Sequence, residues 1–215
     1  MYYAAALFVA LFAGPTTFTR GEVTIDRTDA VIEHKTFDPK HPPADMPSLH
    51  PNEAAVTQSF FGAESHVGGE VVDRHAVPEG CQASIKVDSV HMTVRLRITV
   101  WLPKDAPPKL VKHEEGHREL AEHFYKDAES IAREEAQKLI GQTVTGTGKN
   151  CEEAGDNALK HAAQELGQRY LARTDIPCSK AQEIYDQLTL HGTNAFAESK
   201  AIEEAIRKIS SDPTH

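Results

Sequence analysis

His113-Glu114-Glu115-Gly116-His117 sets two histidines four residues apart, with a glutamate directly after the first. On an α-helix the second histidine lies about 40° around the axis and about 6 Å along it from the first. Both imidazoles can therefore reach one metal ion. Glu114 falls beside them, where a carboxylate can hold a water molecule and take its proton. Nitrogen donors suit zinc, and two of them leave positions for a third protein ligand and for that water. The chemistry this spacing encodes is hydrolysis by a metal-activated water.

The chain holds 12 histidines in 215 residues, so a chance pairing of His and Glu on a solvated helix has to be weighed. Periodicity argues against it. At about 100° per residue, Leu120, Phe124 and Ile131 return to within about 20° of His113. The histidines thus share an apolar stripe and are expected to face the interior, where buried imidazoles need partners.

A third ligand must come from elsewhere. His123 stands ten residues after His113, the spacing of an extended motif in which a glycine turns the last histidine back to the metal. Leu120 occupies that glycine position here, so the helix continues and carries His123 about 15 Å along the axis and about 80° away. Glu134 and Glu135 lie too far along the same helix. Tyr185-Asp186-Gln187-Leu188-Thr189-Leu190-His191-Gly192 closes a helical run that starts near Ser179. Gly192 reads as the glycine just past a helix end, which makes His191 the candidate presented from the last turn. A histidine there also suits the helix dipole without any metal. His161, in the preceding helix, competes by position alone.

His113 to Glu122, HEEGHRELAE, together with Tyr185 to Gly192, YDQLTLHG, resembles a bacterial family of predicted secreted zinc-dependent proteases whose domain has no assigned function. The resemblance extends more weakly over residues 55 to 195, through Gly80-Cys81, Leu102-Pro103 and Cys151. Arg118 and Glu119 stand where the family often has an aromatic and Asp. No tryptophan lies between Pro103 and His113, where one is common in the family. The resemblance implies a zincin-like fold, zinc held by His113, His117 and His191, and Glu114 as general base. It also favours a bridge from Cys81 to Cys151.

In that reading Glu114 takes a proton from the metal-bound water and delivers it to the leaving amine. Tyr185 is a candidate oxyanion donor, or else a packing residue on its helix. Glu119 and Asp186 are candidate acceptors for the ligand histidines' second ring nitrogens, or solvated carboxylates. A peptide or protein is the expected substrate, and an exposed sheet edge would suit it. Two other classes fit the motif: a non-catalytic zinc-binding module, and a zinc amidase acting on a cell-wall or small-molecule amide. Glu114 speaks against the first, because a structural zinc site closes its coordination and needs no base.

The remaining composition bounds the partners. A formal net charge of -9 argues against nucleic acid, which needs a basic face. The apolar run from Ala4 to Ala13 is too short to span a bilayer and reads, over residues 1–17, as a secretory signal cleaved near Ala13 to Thr17. The expected location is therefore secreted or periplasmic. Three cysteines are compatible with export. If 152–172 is one helix of about 30 Å, Cys151 and Cys178 lie near its opposite ends, and the link after it returns at most about 20 Å. Cys81 could then pair with either one, or all three could stay reduced.

Stepwise along the chain, residues 18–52 read as an irregular segment, with five prolines between 36 and 52. A zincin-like domain is expected over 53–210. From Cys81 to Leu102 the pattern is β: Val94, Leu96, Ile98, Val100 and Leu102 alternate with Thr93, Arg95, Arg97, Thr99 and Trp101, one face buried and one polar. A phase slip between Val87 and Val90 suggests a bulge at Asp88-Ser89. Shorter strands are expected at 21–26, 55–61 and 68–73. Asp105 is a plausible cap for a helix running to Ile140. Thr143 to Asn150, TVTGTGKN, lacks the Gly and the Ser/Thr a phosphate loop needs at its ends, and reads as a flexible connector. Helices are expected at 152–172, 179–191 and 194–209. Strands first and helices afterwards give an α+β fold: an N-terminal mixed or antiparallel sheet, a long active-site helix and a helical C-terminal part.

Overall fold

β-Branched and apolar residues at alternate positions make the central strand of this protein. The computed structural model describes residues 21–49 and 53–211; the signal segment expected at 1–17 lies outside them. β1 (Glu22–Arg27), β2 (Val31–Phe37), β3 (Val56–Val77) and β4 (Gly80–Pro103) come first. They are followed by α1 (Pro108–Tyr125), α2 (Ala128–Leu139), β5 (Thr143–Gly148), α3 (Cys151–Arg173), α4 (Asp175–Thr189) and α5 (Glu198–Ser210). The α+β expectation of strands followed by helices therefore holds, with β5 as the exception.

The sheet has five strands built around β4. β5 pairs antiparallel with Cys81–Lys86, β1 parallel with Ser89–Val94, and β2 parallel with Arg97–Pro103. These three registers succeed one another without overlap. β3 also pairs with β4, to which it is joined through Pro78-Glu79. So short a connection permits only an antiparallel hairpin.

The described chain divides into two compact units. One takes residues up to Thr28, Gly62–Val94 and Ala128–Leu171, hence β1, most of β3, the first part of β4, α2, β5 and nearly all of α3. In it α2 packs on β1, and a disulfide joins Cys81 to Cys151 with Cα atoms 5.0 Å apart. The other takes Asp29–Phe61, Arg95–Asp127 and the chain from Ala172 onward, hence β2, the start of β3, the end of β4, α1, α4 and α5. Its helices share an apolar core of Leu120, Ala181, Tyr185, Ala201, Ala205 and Ile209, flanked by Phe124 and Ile184.

Several expectations are corrected. The segment assigned as irregular contains β2, and the two short strands at 55–61 and 68–73 are one strand, β3. TVTGTGKN forms β5 rather than a connector: its β-branched Thr-x-Thr-x-Thr pattern finds β4 as a partner, and pairing outweighs the flexibility its glycines suggest. The expected long helix breaks at Lys126-Asp127 because its two halves bury different faces, α1 against α4 and α5, α2 against β1. Ile131 therefore does not extend the stripe of His113. Asp105 caps nothing; Pro107 precedes α1, with Pro108 in its first turn, where a missing N–H costs no hydrogen bond. α4 begins at Asp175, four residues early, since Pro177 is tolerated in a first turn for the same reason. Trp101, assigned to the polar face, is buried, and the Lys35 ammonium sits 4.6 Å from its ring centre. The phase slip of β4 falls at Ser89 and Val90, which are both buried. Among the described residues no helix is long and apolar enough to cross a membrane.

Candidate metal centre

α1 turns His113 and Leu120 inward, as the helical stripe requires, and Glu114, about 100° round the helix from His113, is buried beside them. His113 and Glu114 are each 3 % exposed, and His117 is nearly as covered. The Nε2 atoms of His113 and His117 lie 3.2 Å apart. Asp186 of α4 closes a triangle with them: its Oδ1 is 3.2 Å from His113 Nε2 and 3.0 Å from His117 Nε2. Two ligands about 2.1 Å from one ion at a near-tetrahedral angle are about 3.4 Å apart. Among the described residues, this is the group of His, Cys, Asp or Glu whose atoms converge closely enough to hold a metal. Two nitrogens, a carboxylate oxygen and a base alongside form a donor set that fits zinc.

Tyr185 holds the histidines in place. Its ring stacks on His113 at 5.0 Å and meets His117 edge-on at 4.9 Å. The hydroxyl is fully buried; it donates to the His113 carbonyl at 3.1 Å and also contacts the Glu198 carboxylate. Of the two roles expected for Tyr185, the packing one matches its ring contacts with both histidines, and its hydroxyl faces the His113 carbonyl and the Glu198 carboxylate. Gly116 makes the stacking possible, since a Cβ there would stand 2.0 Å from the tyrosine oxygen.

Glu114 is bonded through Oε2 to the Thr57 hydroxyl at the start of β3, at 2.8 Å. Burial pushes its carboxyl above the ordinary range, against the opposing pull of His117, Thr57 and His113. A raised carboxyl is suited to exchanging a proton near neutrality. For His117, burial works against the charged form, but Asp186, Glu114 and Gln182 outweigh it and push the imidazole up to about 9. Burial likewise opposes the Asp186 charge, and hydrogen bonds from His113 and His117 override it and hold this carboxyl well below the usual range. Without metal, His117 and Asp186 are thus an ion pair.

His191 stands at the rim. Its Nδ1 is 3.5 Å from Asp186 Oδ1 and 3.8 Å from Glu53 Oε1, with the side chain 46 % exposed. Leu190, His191 and Gly192 all have positive φ, at 48°, 51° and 72°. Two non-glycine residues in that region cost of order 1–3 kcal/mol each. Lys109 of α1 holds the following turn by donating to the carbonyls of Thr193, at 2.8 Å, and Asn194. Gly192 lies against the His113 ring, where a Cβ would come within 2.8 Å.

The expected residues His113, Glu114, His117 and Tyr185 are thus brought together, and His191 adjoins them. Asp186, considered from sequence as a supporting acceptor, instead faces both Nε2 atoms directly. Glu119, the other such candidate, ion-pairs with Arg118 on the outer side of α1. His123, set aside from sequence, and His161, the competing third-ligand candidate, are both exposed and lie outside the group. Sequence reasoning missed Gln182, Thr57 and Glu198. Gln182 had one available signal: it precedes Asp186 by one helical turn and so shares its face. Thr57 and Glu198 had none. Comparison with known proteins adds no relative: no family model, curated protein or solved structure matches the chain.

Proposed function

We propose that this protein is a zinc-dependent hydrolase of zincin-like type, a metalloprotease acting on peptide bonds outside the cytoplasm. The observation that carries the reading is the convergence of His113 Nε2, His117 Nε2 and Asp186 Oδ1 within 3.2 Å of one another, beside a buried glutamate whose proton affinity is raised. Bound zinc would make a water molecule acidic enough to attack a carbonyl near neutral pH. His113, His117 and Asp186 would hold the ion, with His191 next to them as the further candidate. Glu114 receives the proton of the attacking water and passes it to the departing amine. Thr57 keeps the carboxylate turned toward that task. β3, which carries Thr57, pairs with β4 alone among the described residues, so its outer edge offers main-chain groups to an extended peptide. The Cys81–Cys151 disulfide supports a secreted or periplasmic location, since such bonds persist in oxidising compartments.

Glu114→Gln tests the mechanism. Zinc content should stay at the wild-type level while peptide hydrolysis drops about a hundredfold or more; equal rates would refute the role of Glu114. The ligand set is tested by zinc content. Asp186→Asn should lower it sharply, and His191→Ala should do the same only if the turn residue is the third ligand in place of Asp186.

A further inference from the structure

Gln182 has the geometry of a residue that works through another. It lies half-buried on α4, one turn before Asp186. Its Nε2 donates to the main-chain carbonyl of His117 at 2.9 Å, and its Oε1 meets His117 Nδ1 in a short hydrogen bond. A carbonyl oxygen can only accept, so this contact fixes which end of the amide carries the NH2 group. The other end is then an oxygen, which can only accept from the ring. His117 Nδ1 must therefore hold its hydrogen, and the lone pair of the neutral imidazole is confined to Nε2, the atom that faces His113 and Asp186.

We infer that Gln182 is the positioning residue that makes His117 a metal ligand, by fixing its tautomer and its ring plane at once. The inference rests on the zinc reading above. Such partners are worth roughly ten- to a hundredfold in metal affinity. The choice of an amide has its own logic. Carboxylates of Glu114, Asp186 and Glu198 already surround His113 and His117, and a neutral acceptor orients the ring without adding another negative charge to a crowded site. Cys178, one turn earlier, has its Sγ 3.7 Å from the same amide nitrogen and helps to hold it.

The test is zinc affinity of the full chain, stripped of metal and titrated with zinc ions against a chromophoric chelator. Gln182→Met keeps the length and most of the packing but removes both hydrogen bonds, and should weaken zinc binding ten- to a hundredfold. Gln182→Glu keeps an acceptor toward Nδ1 and should bind distinctly more tightly than Gln182→Met. Unchanged affinity in Gln182→Met would overturn the inference. So would equal losses in the two variants, since these would trace to packing and not to the ring hydrogen bond. A wild-type chain that takes up no zinc would overturn the metal reading itself, and this inference with it.

Discussion

Asp186→Asn in metal-free protein exposes how the centre is held before any ion arrives. In the wild type the His117 imidazole rises from 6.5 to about 9, with burial opposed by the Asp186 hydrogen bond and charge, then by Glu114 and Gln182. At roughly 1.4 kcal/mol per pH unit, that rise corresponds to about 3 kcal/mol of stability. Its sign follows from the direction: a folded-state value raised above the unfolded one stabilises fully below pH 6.5 and is lost as pH climbs through 9. Asparagine removes the two largest raising causes and leaves the burial opposed only by Glu114 and Gln182, so the His117 value should fall sharply. The variant should therefore be less stable by up to about 3 kcal/mol near pH 6, and the gap should narrow steadily toward pH 9 and beyond. Urea unfolding in the presence of a chelator, from pH 5.5 to 9.5, measures the gap, and the Hε1 resonance of His117 reports its titration directly. A wild-type His117 titrating near 6.5, or a stability gap independent of pH, would refute the ion pair. The same proton occupies the nitrogen a metal would need, so zinc affinity should rise with pH toward 9.

Gly116→Ala should destabilise the protein by about 1–3 kcal/mol or more, because its methyl would collide with the Tyr185 hydroxyl; a thermal midpoint unchanged from wild type would contradict this. Cys81→Ser opens a loop with a sequence separation of 70 residues and should cost up to about 4 kcal/mol by the chain-entropy relation, read by urea unfolding against disulfide-intact wild-type protein, whereas reduced wild-type protein should match the variant. Thr57→Val keeps the shape and removes the hydrogen bond to Glu114. It should slow hydrolysis with little change in zinc content, whereas a loss of zinc would show that Thr57 supports the ligands instead. His123→Ala should leave zinc content at the wild-type level, since the residue is exposed and away from the cluster.

What the sequence determined by itself is local. Two histidines four apart share a helical face because helix geometry is set by the backbone, and Leu120 in place of a glycine already removes His123 from that face. The alternation from Val94 to Val100 reads as a strand because successive side chains on an extended backbone point to opposite sides, and those residues are indeed buried in β4. The tertiary structure decided what depends on partners far away in the chain. Thr57 is 57 residues from Glu114, Gln182 is 65 from His117 and Asp186 is 69 from it. No periodicity links such positions; the packing of α1 on α4, with Tyr185 seated at the gap of Gly116, brings Gln182 and Asp186 to His117, and the start of β3 brings Thr57 to Glu114. The choice between Asp186 and His191 as the group facing both Nε2 atoms was likewise beyond sequence. It turns on where α4 ends and on left-handed dihedrals at Leu190 and His191, which residues other than glycine adopt only when surrounding contacts hold them there.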